Sequence, residues 1–351
     1  MLETEKKNSF EIALRNTIIF LRTKGRPYFL LVILFTFTAC APTPTPPPTI
    51  IPATATQTVL PPTSTATLTP SPTKTATLVP TQTPIPCYLT EDVCIEDGHF
   101  LLSRPISDEY INKLHHGYRY GSTANGDREP HHGVEFVNAS GTPVLAAADG
   151  RVVYAAEDKA GTYSFWEGFY GNLVIIEHDF PELDQPLYTL YAHLSVISVV
   201  EGDVVKAGQP IGDVGWTGRA IGSHLHFEVR LGGLGYSDTR NPELWLEPLD
   251  EANGAIAVRI VNQNGTVRRV AVNVDDVGDG QSAYKWVASL EAYAPETEPV
   301  GIDDAWQESH AVGDLPAGSY RISFTYAGGY WERFVEVNPQ KVTVVNFVIQ
   351  E

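Results

Sequence analysis

From about residue 98 onward, apolar residues come in short runs and alternations separated by turns rich in Gly, Asn and Asp, the pattern of β-strands. Val144–Ala148, Arg151–Ala156, Leu173–His178, Leu187–His193 and His224–Arg230 are predicted strands, with Asp149-Gly150 and Gly171-Asn172 as turns. No long segment carries the periodicity of an amphipathic helix. The predicted fold class is therefore mainly β, with a first β domain ending near Asp250. A second β unit follows over Ala255–Asn262, Val267–Asn273, Tyr320–Tyr326, Trp331–Val337 and Val342–Ile349, with hairpin signals at Asn264-Gly265 and Gly328-Gly329. Its spacing suggests a small sandwich.

Near the end of that unit the turn Leu315-Pro316-Ala317-Gly318 leads into an extended run, a Gly-rich turn and a final Val/Thr strand. This order resembles the carboxypeptidase-regulatory or transthyretin-like β-sandwich modules, a resemblance that covers the C-terminal unit.

The N-terminus has a different character. Arg22, Lys24 and Arg26 precede the apolar run Phe29 to Phe37, which ends in Thr38-Ala39-Cys40, the layout of a secretory signal. The run is shorter than the roughly 20 residues a bilayer span needs. Cys following Ala39 resembles a bacterial lipobox, which implies lipidation at Cys40, although Phe37 stands where Leu is usual and the preceding region is long. A plain signal-anchor is the alternative. Either way the remainder is expected outside the cytoplasmic membrane and tethered to it. Residues 41–86 are almost all Pro, Thr, Ala and small apolar residues and are expected to form an extended, disordered stalk. The predicted organisation is thus a signal segment (1–40), a stalk (41–86), a central domain (87–250) and an accessory sandwich (251–351).

A formal net charge of −18 argues against a nucleic-acid partner, which would require a basic footprint. Of three cysteines, Cys87 and Cys94 are close enough for a local disulfide in an oxidising compartment.

Candidate chemistry lies in His131-His132-Gly133-Val134-Glu135 and Ser223-His224-Leu225-His226-Phe227-Glu228. Strand side chains alternate faces, so extended segments would put His131 with Glu135, and His224 with His226. Two such strands brought together would converge imidazoles and a carboxylate, the ligand chemistry of zinc. His132 competes with His131 for the first position, but its odd spacing from Glu135 would turn it to the opposite face. His178, His99, His115, His116 and His310 lie outside the motifs and read as packed or solvated. Phe165, Trp166, Phe169 and Tyr170 fit either a substrate groove or core packing.

Together with Tyr191-Ala192-His193-Leu194 and the Gly202–Gly218 segment, these motifs closely resemble the lysostaphin/LytM-type zinc endopeptidases over residues 117–232. The resemblance implies an antiparallel β-sheet peptidase domain, hydrolysis of peptide bonds in peptidoglycan, and zinc held by His131, Glu135 and His226. Three protein ligands leave zinc's fourth position open to water, as catalysis requires. The family's further active-site histidines fall on His193 and His224. We read His224 as general base and His193 as transition-state stabiliser, with the roles open to exchange. Family members normally carry Asp where this chain has Glu135. Some relatives with altered sites are inactive activators of other wall hydrolases, which leaves a non-catalytic regulator as the alternative.

Overall fold

Strand Leu225–Leu231 organises the central domain. Leu225, Phe227 and Val229 enter the hydrophobic core, while His226, Glu228 and Arg230 occupy the opposite face and are buried there too. In this computed structural model, which describes residues 86–160, 162–278, 283–293 and 300–350, the strand lies within a seven-stranded antiparallel sheet. On one side it pairs with Leu187–Ala192, which continues through Asn172–His178 and Gly150–Glu157 to Val204–Val205. Its other side is shared by the short strands Val134–Phe136 and Thr239–Arg240. A three-stranded sheet of Pro143–Leu145, Pro210–Asp213 and Val196–Ile197 completes the domain. Val144, Leu194, Val205, Ile211 and Val214 fill the core alongside it.

The C-terminal unit packs two four-stranded sheets face to face. One runs Val93–Asp97, Lys341–Ile349, Asn253–Asn262, His310–Pro316; the other runs Lys285–Leu290, Val272–Asp276, Gly318–Tyr326, Gly329–Val337. Their facing side chains, among them Ile256, Val274, Ile322 and Phe347, form a separate core. The expected mainly β class holds: the sheets are antiparallel except for the parallel pair Asn253–Asn262 with Lys341–Ile349, and among the described residues there is no α-helix, only short 3-10 turns.

Several boundaries differ from expectation. The strand predicted over Val267–Asn273 begins only at Val272. Val267 makes a single bridge to Val261, after which the chain crosses to the other sheet. The run Val144–Ala148 is extended only to Leu145, because Ala146 turns its backbone to Gln209 and Gly208. Val93–Asp97, grouped by the sequence with the central domain, runs antiparallel to Lys341–Ile349 in the C-terminal sheet. A disulfide joins Cys87 to Cys94 at its start. The two units also share a core, with Ala255, Ala257, Trp306 and Val344 packing in one cluster with Leu102, Leu244 and Trp245. The predicted signal segment with Cys40, and the predicted stalk up to residue 85, lie outside the described residues.

Candidate metal centre

Two strand pairings build the site. His226 stands opposite Glu135 on one side and Ala192 on the other. His193 follows immediately after Ala192, with a left-handed φ of 63° that is uncommon for a residue bearing a side chain. It is held by its N–H to Tyr170 O at 2.9 Å and by Nδ1–H to Thr217 O at 2.8 Å. His131 precedes its strand rather than lying in it, and Gly133 forms the bend between. A Cβ on Gly133 would sit 2.4 Å from Phe227 O and 2.9 Å from His226 Nε2, so only glycine lets this segment close on the His226 strand.

The ligand atoms of His131, Glu135 and His226 all lie within 4.8 Å of one another. His131 Nε2 is 3.2 Å from His226 Nδ1 and 3.9 Å from Glu135 Oε1. His224 Nε2 is 3.6 Å from the same Glu135 oxygen. The His193 ring centroid lies 4.9 Å from that of His224 and 5.7 Å from that of His226.

The hydrogen bonds assign the ring protons. Carbonyl and carboxylate oxygens only accept, so a ring nitrogen facing one carries its proton. His131 Nδ1 donates to Tyr118 O at 2.9 Å, and His226 Nε2 donates to Glu228 Oε1 at 3.0 Å. With both rings neutral, bare lone pairs remain on His131 Nε2 and His226 Nδ1, facing each other beside an anionic carboxylate. No proton is left to join them, and a cation gives all three a partner. The donor set therefore fits a divalent metal of zinc's preferences. His193 and His224 likewise spend Nδ1–H on backbone carbonyls, of Thr217 and of Gly222 at 3.1 Å. Each keeps a lone pair at Nε2.

Burial holds His131 and His193 well below the usual imidazole range, and the neighbouring His226 adds to the effect. Burial also lowers His224, against the opposing pull of Glu135. Glu228 went unassigned in the sequence reading. It is fully buried, accepts Tyr170 Oη at 2.5 Å, and receives Arg230 Nε at 2.9 Å and Nη2 at 2.7 Å on its second oxygen. Burial alone would raise its pKa, but Arg230 and His226 outweigh that and hold the carboxyl below its ordinary range. Strand alternation was the available signal, because His224, His226, Glu228 and Arg230 follow one another at every second position.

The remaining candidates separate clearly. His132 stacks on Tyr236 at 3.6 Å and meets Thr239 Oγ1 at 3.3 Å, and burial lowers its pKa to about 4. His178 is a packed histidine between Asp149 O and Thr189 Oγ1. His115, expected to be remote, reaches the site: its Nδ1 is 3.7 Å from Glu135 Oε2 and its N–H bonds Glu135 O at 2.9 Å. The aromatic cluster divides, with Tyr170 buried under Glu228 while Trp166 and Phe169 line the cleft. That cleft encloses about 780 Å³ above the donor atoms, and Tyr118, Arg128 and Arg219 also border it.

An antiparallel sheet that gathers two imidazoles and a carboxylate on the floor of an open cleft, with two more imidazoles beside them, can hold a divalent metal next to groups able to take up a proton. Residues 129–238 match the model of Peptidase family M23. Over 103 residues the chain is 42% identical to the DD-carboxypeptidase/endopeptidase Mpg of Neisseria meningitidis, covering 29% of this chain and 20% of Mpg. Over 121 residues it is 36% identical to the murein hydrolase activator NlpD of Escherichia coli, covering 34% of this chain and 27% of NlpD. The match thus spans between 20% and 27% of the length of these curated relatives. The catalytic domain of the antimicrobial peptidase lysostaphin from Staphylococcus simulans is 32% identical, covering 38% of this chain and 90% of that domain, with a TM-score of 0.31.

Proposed function

We propose that this protein is a zinc-dependent endopeptidase that hydrolyses peptide bonds in bacterial peptidoglycan. The observation that carries the reading is the convergence of lone pairs from His131, Glu135 and His226 within 4.8 Å, with two further neutral imidazoles alongside. His131 Nε2, Glu135 and His226 Nδ1 would hold the metal. Bound there, zinc supplies Lewis acidity towards a peptide carbonyl and towards water. His224 accepts a proton at Nε2 while Gly222 O fixes its ring through Nδ1–H. His193, whose Nδ1–H is anchored on Thr217 O, stands beside the developing oxyanion as the transition-state stabiliser and donates from Nε2 only after taking the proton that the attacking water releases. Trp166, Phe169 and Arg219 give the cleft one apolar and cationic wall, suited to a peptide bearing carboxylates. Lipidation at Cys40 and the Pro/Thr stalk would tether this domain to the membrane within reach of the wall.

The matched Neisseria relative, named as an endopeptidase, supports the catalytic reading. A non-catalytic regulator is the second reading, favoured by the match to an activator. Muropeptide analysis of sacculi digested with wild type and with His226→Ala tests the first. New peptide ends are expected from wild type only, and identical product profiles would remove metal-dependent cleavage. Metal content separates the two readings, since purified wild type without stoichiometric zinc favours the regulator.

A further inference from the structure

We propose that the C-terminal sandwich positions the metal centre through Glu291, whose carboxylate pins the loop that runs into His131. The inference rests on the reading of His131 as a metal ligand. Glu291 follows strand Lys285–Leu290 and reaches across to the central domain. Its Oε1 accepts Ser122 Oγ at 2.8 Å and Asn125 N at 3.0 Å, and its Oε2 accepts Thr123 N at 3.0 Å and Thr123 Oγ1 at 2.9 Å. Every donor belongs to the loop of residues 122–130.

The loop carries bonds of its own, Ala124 N to Ser122 Oγ at 3.0 Å and Arg128 N to Thr123 O at 2.9 Å, and Glu291 adds four from outside it. Ala124 and Asn125 are consecutive left-handed residues, with φ of 52° and 61°. Such a conformation is costly for a residue bearing a side chain and persists only where surrounding contacts impose it. The turn directs backbone N–H groups into a concavity suited to an anion, and Glu291 fills it. Burial opposes ionisation of this carboxyl, but the donors outweigh it and lower its pKa.

The path from Glu291 to the site is one residue long. Ser122, whose hydroxyl donates to Glu291, accepts the N–H of His131 at 3.0 Å through its carbonyl, and Gly121 N donates to His131 O at 2.7 Å. Farther along the loop, Arg128 lies over the Tyr118 ring at 4.8 Å, and that ring stacks on His131 at 4.1 Å. The backbone of His131 is therefore set beside a loop that the sandwich fastens, and that loop also covers, through Arg128, the Tyr118 ring stacked on the imidazole. Tyr293, also from the sandwich, packs edge-on against Tyr120 at 5.1 Å but donates nothing to residues 122–130. Glu291 is thus a positioning residue, and the sandwich is part of the site's framework.

The test compares Glu291→Gln with Tyr293→Phe in the full chain. Gln is isosteric, but its amide nitrogen cannot accept, so two of the four donors lose their partner. In zinc-free protein, the amides of Thr123, Asn125 and His131 should exchange about tenfold faster in Glu291→Gln, and at wild-type rates in Tyr293→Phe. Zinc affinity, measured by chelator competition, should fall about tenfold in Glu291→Gln alone. Unchanged loop exchange, unchanged zinc affinity, or equal loosening in Tyr293→Phe would each overturn the proposal. Should Glu291→Gln not fold, Ser122→Ala, which removes one donor, carries the same test with a smaller expected effect. Wild type that binds no zinc defeats the functional reading instead, and the amide exchange still reports on Glu291.

Discussion

Glu228 accepts the Nε2–H of His226 at 3.0 Å, which leaves Nδ1 of the same ring facing His131 at 3.2 Å. A fully buried carboxylate, charged because Arg230 chelates its other oxygen, thereby dictates which nitrogen of His226 is free to bind a metal. Glu228→Gln keeps the shape and removes the charge. Zinc affinity should fall by about 10–100-fold, the range for residues that orient a ligating histidine. Competition with a chromogenic chelator measures it, and wild-type affinity in the variant would show that the tautomer is set elsewhere.

Gly133 is fixed by space rather than by backbone conformation. Gly133→Ala drives a methyl to 2.4 Å from Phe227 O, a backbone atom that cannot swing aside. The strands must part, which should cost about 1–3 kcal/mol by the usual scale of overpacking. The same movement separates Glu135 from His226. Urea unfolding and zinc binding should both deteriorate, and an unperturbed alanine variant would mean that the contact relaxes freely.

Glu135→Asp shortens the carboxylate by one methylene. The acid stands between His131, His224 and His115, with nitrogen–oxygen separations of 3.9, 3.6 and 3.7 Å. The shorter acid is the residue usual at this position in lysostaphin/LytM-type enzymes, so hydrolysis of sacculi should be kept or raised. Complete loss of activity would show that the backbone around Val134–Phe136 is built for the longer acid.

Acid should destabilise the fold before the carboxylates titrate. His178 and His310 are buried and held down to about 4 by that burial. His178 uses both ring nitrogens, towards Asp149 O and Thr189 Oγ1; His310 does so towards Val270 O and Ser309 Oγ. Above the ordinary imidazole pKa of about 6.5 the folded and unfolded chains are both neutral at these positions. Between about 6.5 and 4 the unfolded chain takes up protons that the folded chain refuses, so stability falls as pH falls, by up to about 1.4 kcal/mol per pH unit for each histidine. These two histidines alone should therefore remove roughly 2–4 kcal/mol from the stability measured by urea unfolding between pH 7 and pH 5. Ring resonances of either histidine titrating near the ordinary value would contradict it.

Much of the site could be read from alternation and spacing. Intervals suited to one face of an extended chain mark His131 with Glu135 and His224 with His226, the choice of His226 as ligand is what the family resemblance implies, and His226 pairs opposite Glu135. The literal picture fails at His131, which reaches the site from a bend at Gly133 rather than from a strand, and at His193, which follows its strand with a left-handed φ. His115 was missed because its contact with Glu135 depends on how a loop lies across a strand, and no interval encodes that. Glu291 is further out of reach: it belongs to another unit and lies far along the chain from the Ser122 it holds. The strand Val93–Asp97 was not predicted, and its residues were grouped with the central domain, since pairing across most of the chain leaves no local mark.

The pairing of Val93–Asp97 with Lys341–Ile349 gives the molecule a mechanical polarity. The chain enters through one edge of the C-terminal sheet, makes the whole central domain as an excursion, and re-enters the same sheet at Asn253. A pull on the chain upstream of Cys87 therefore meets a disulfide-closed loop and an antiparallel strand pair of the C-terminal sheet before it meets the strands that carry Glu135 and His226.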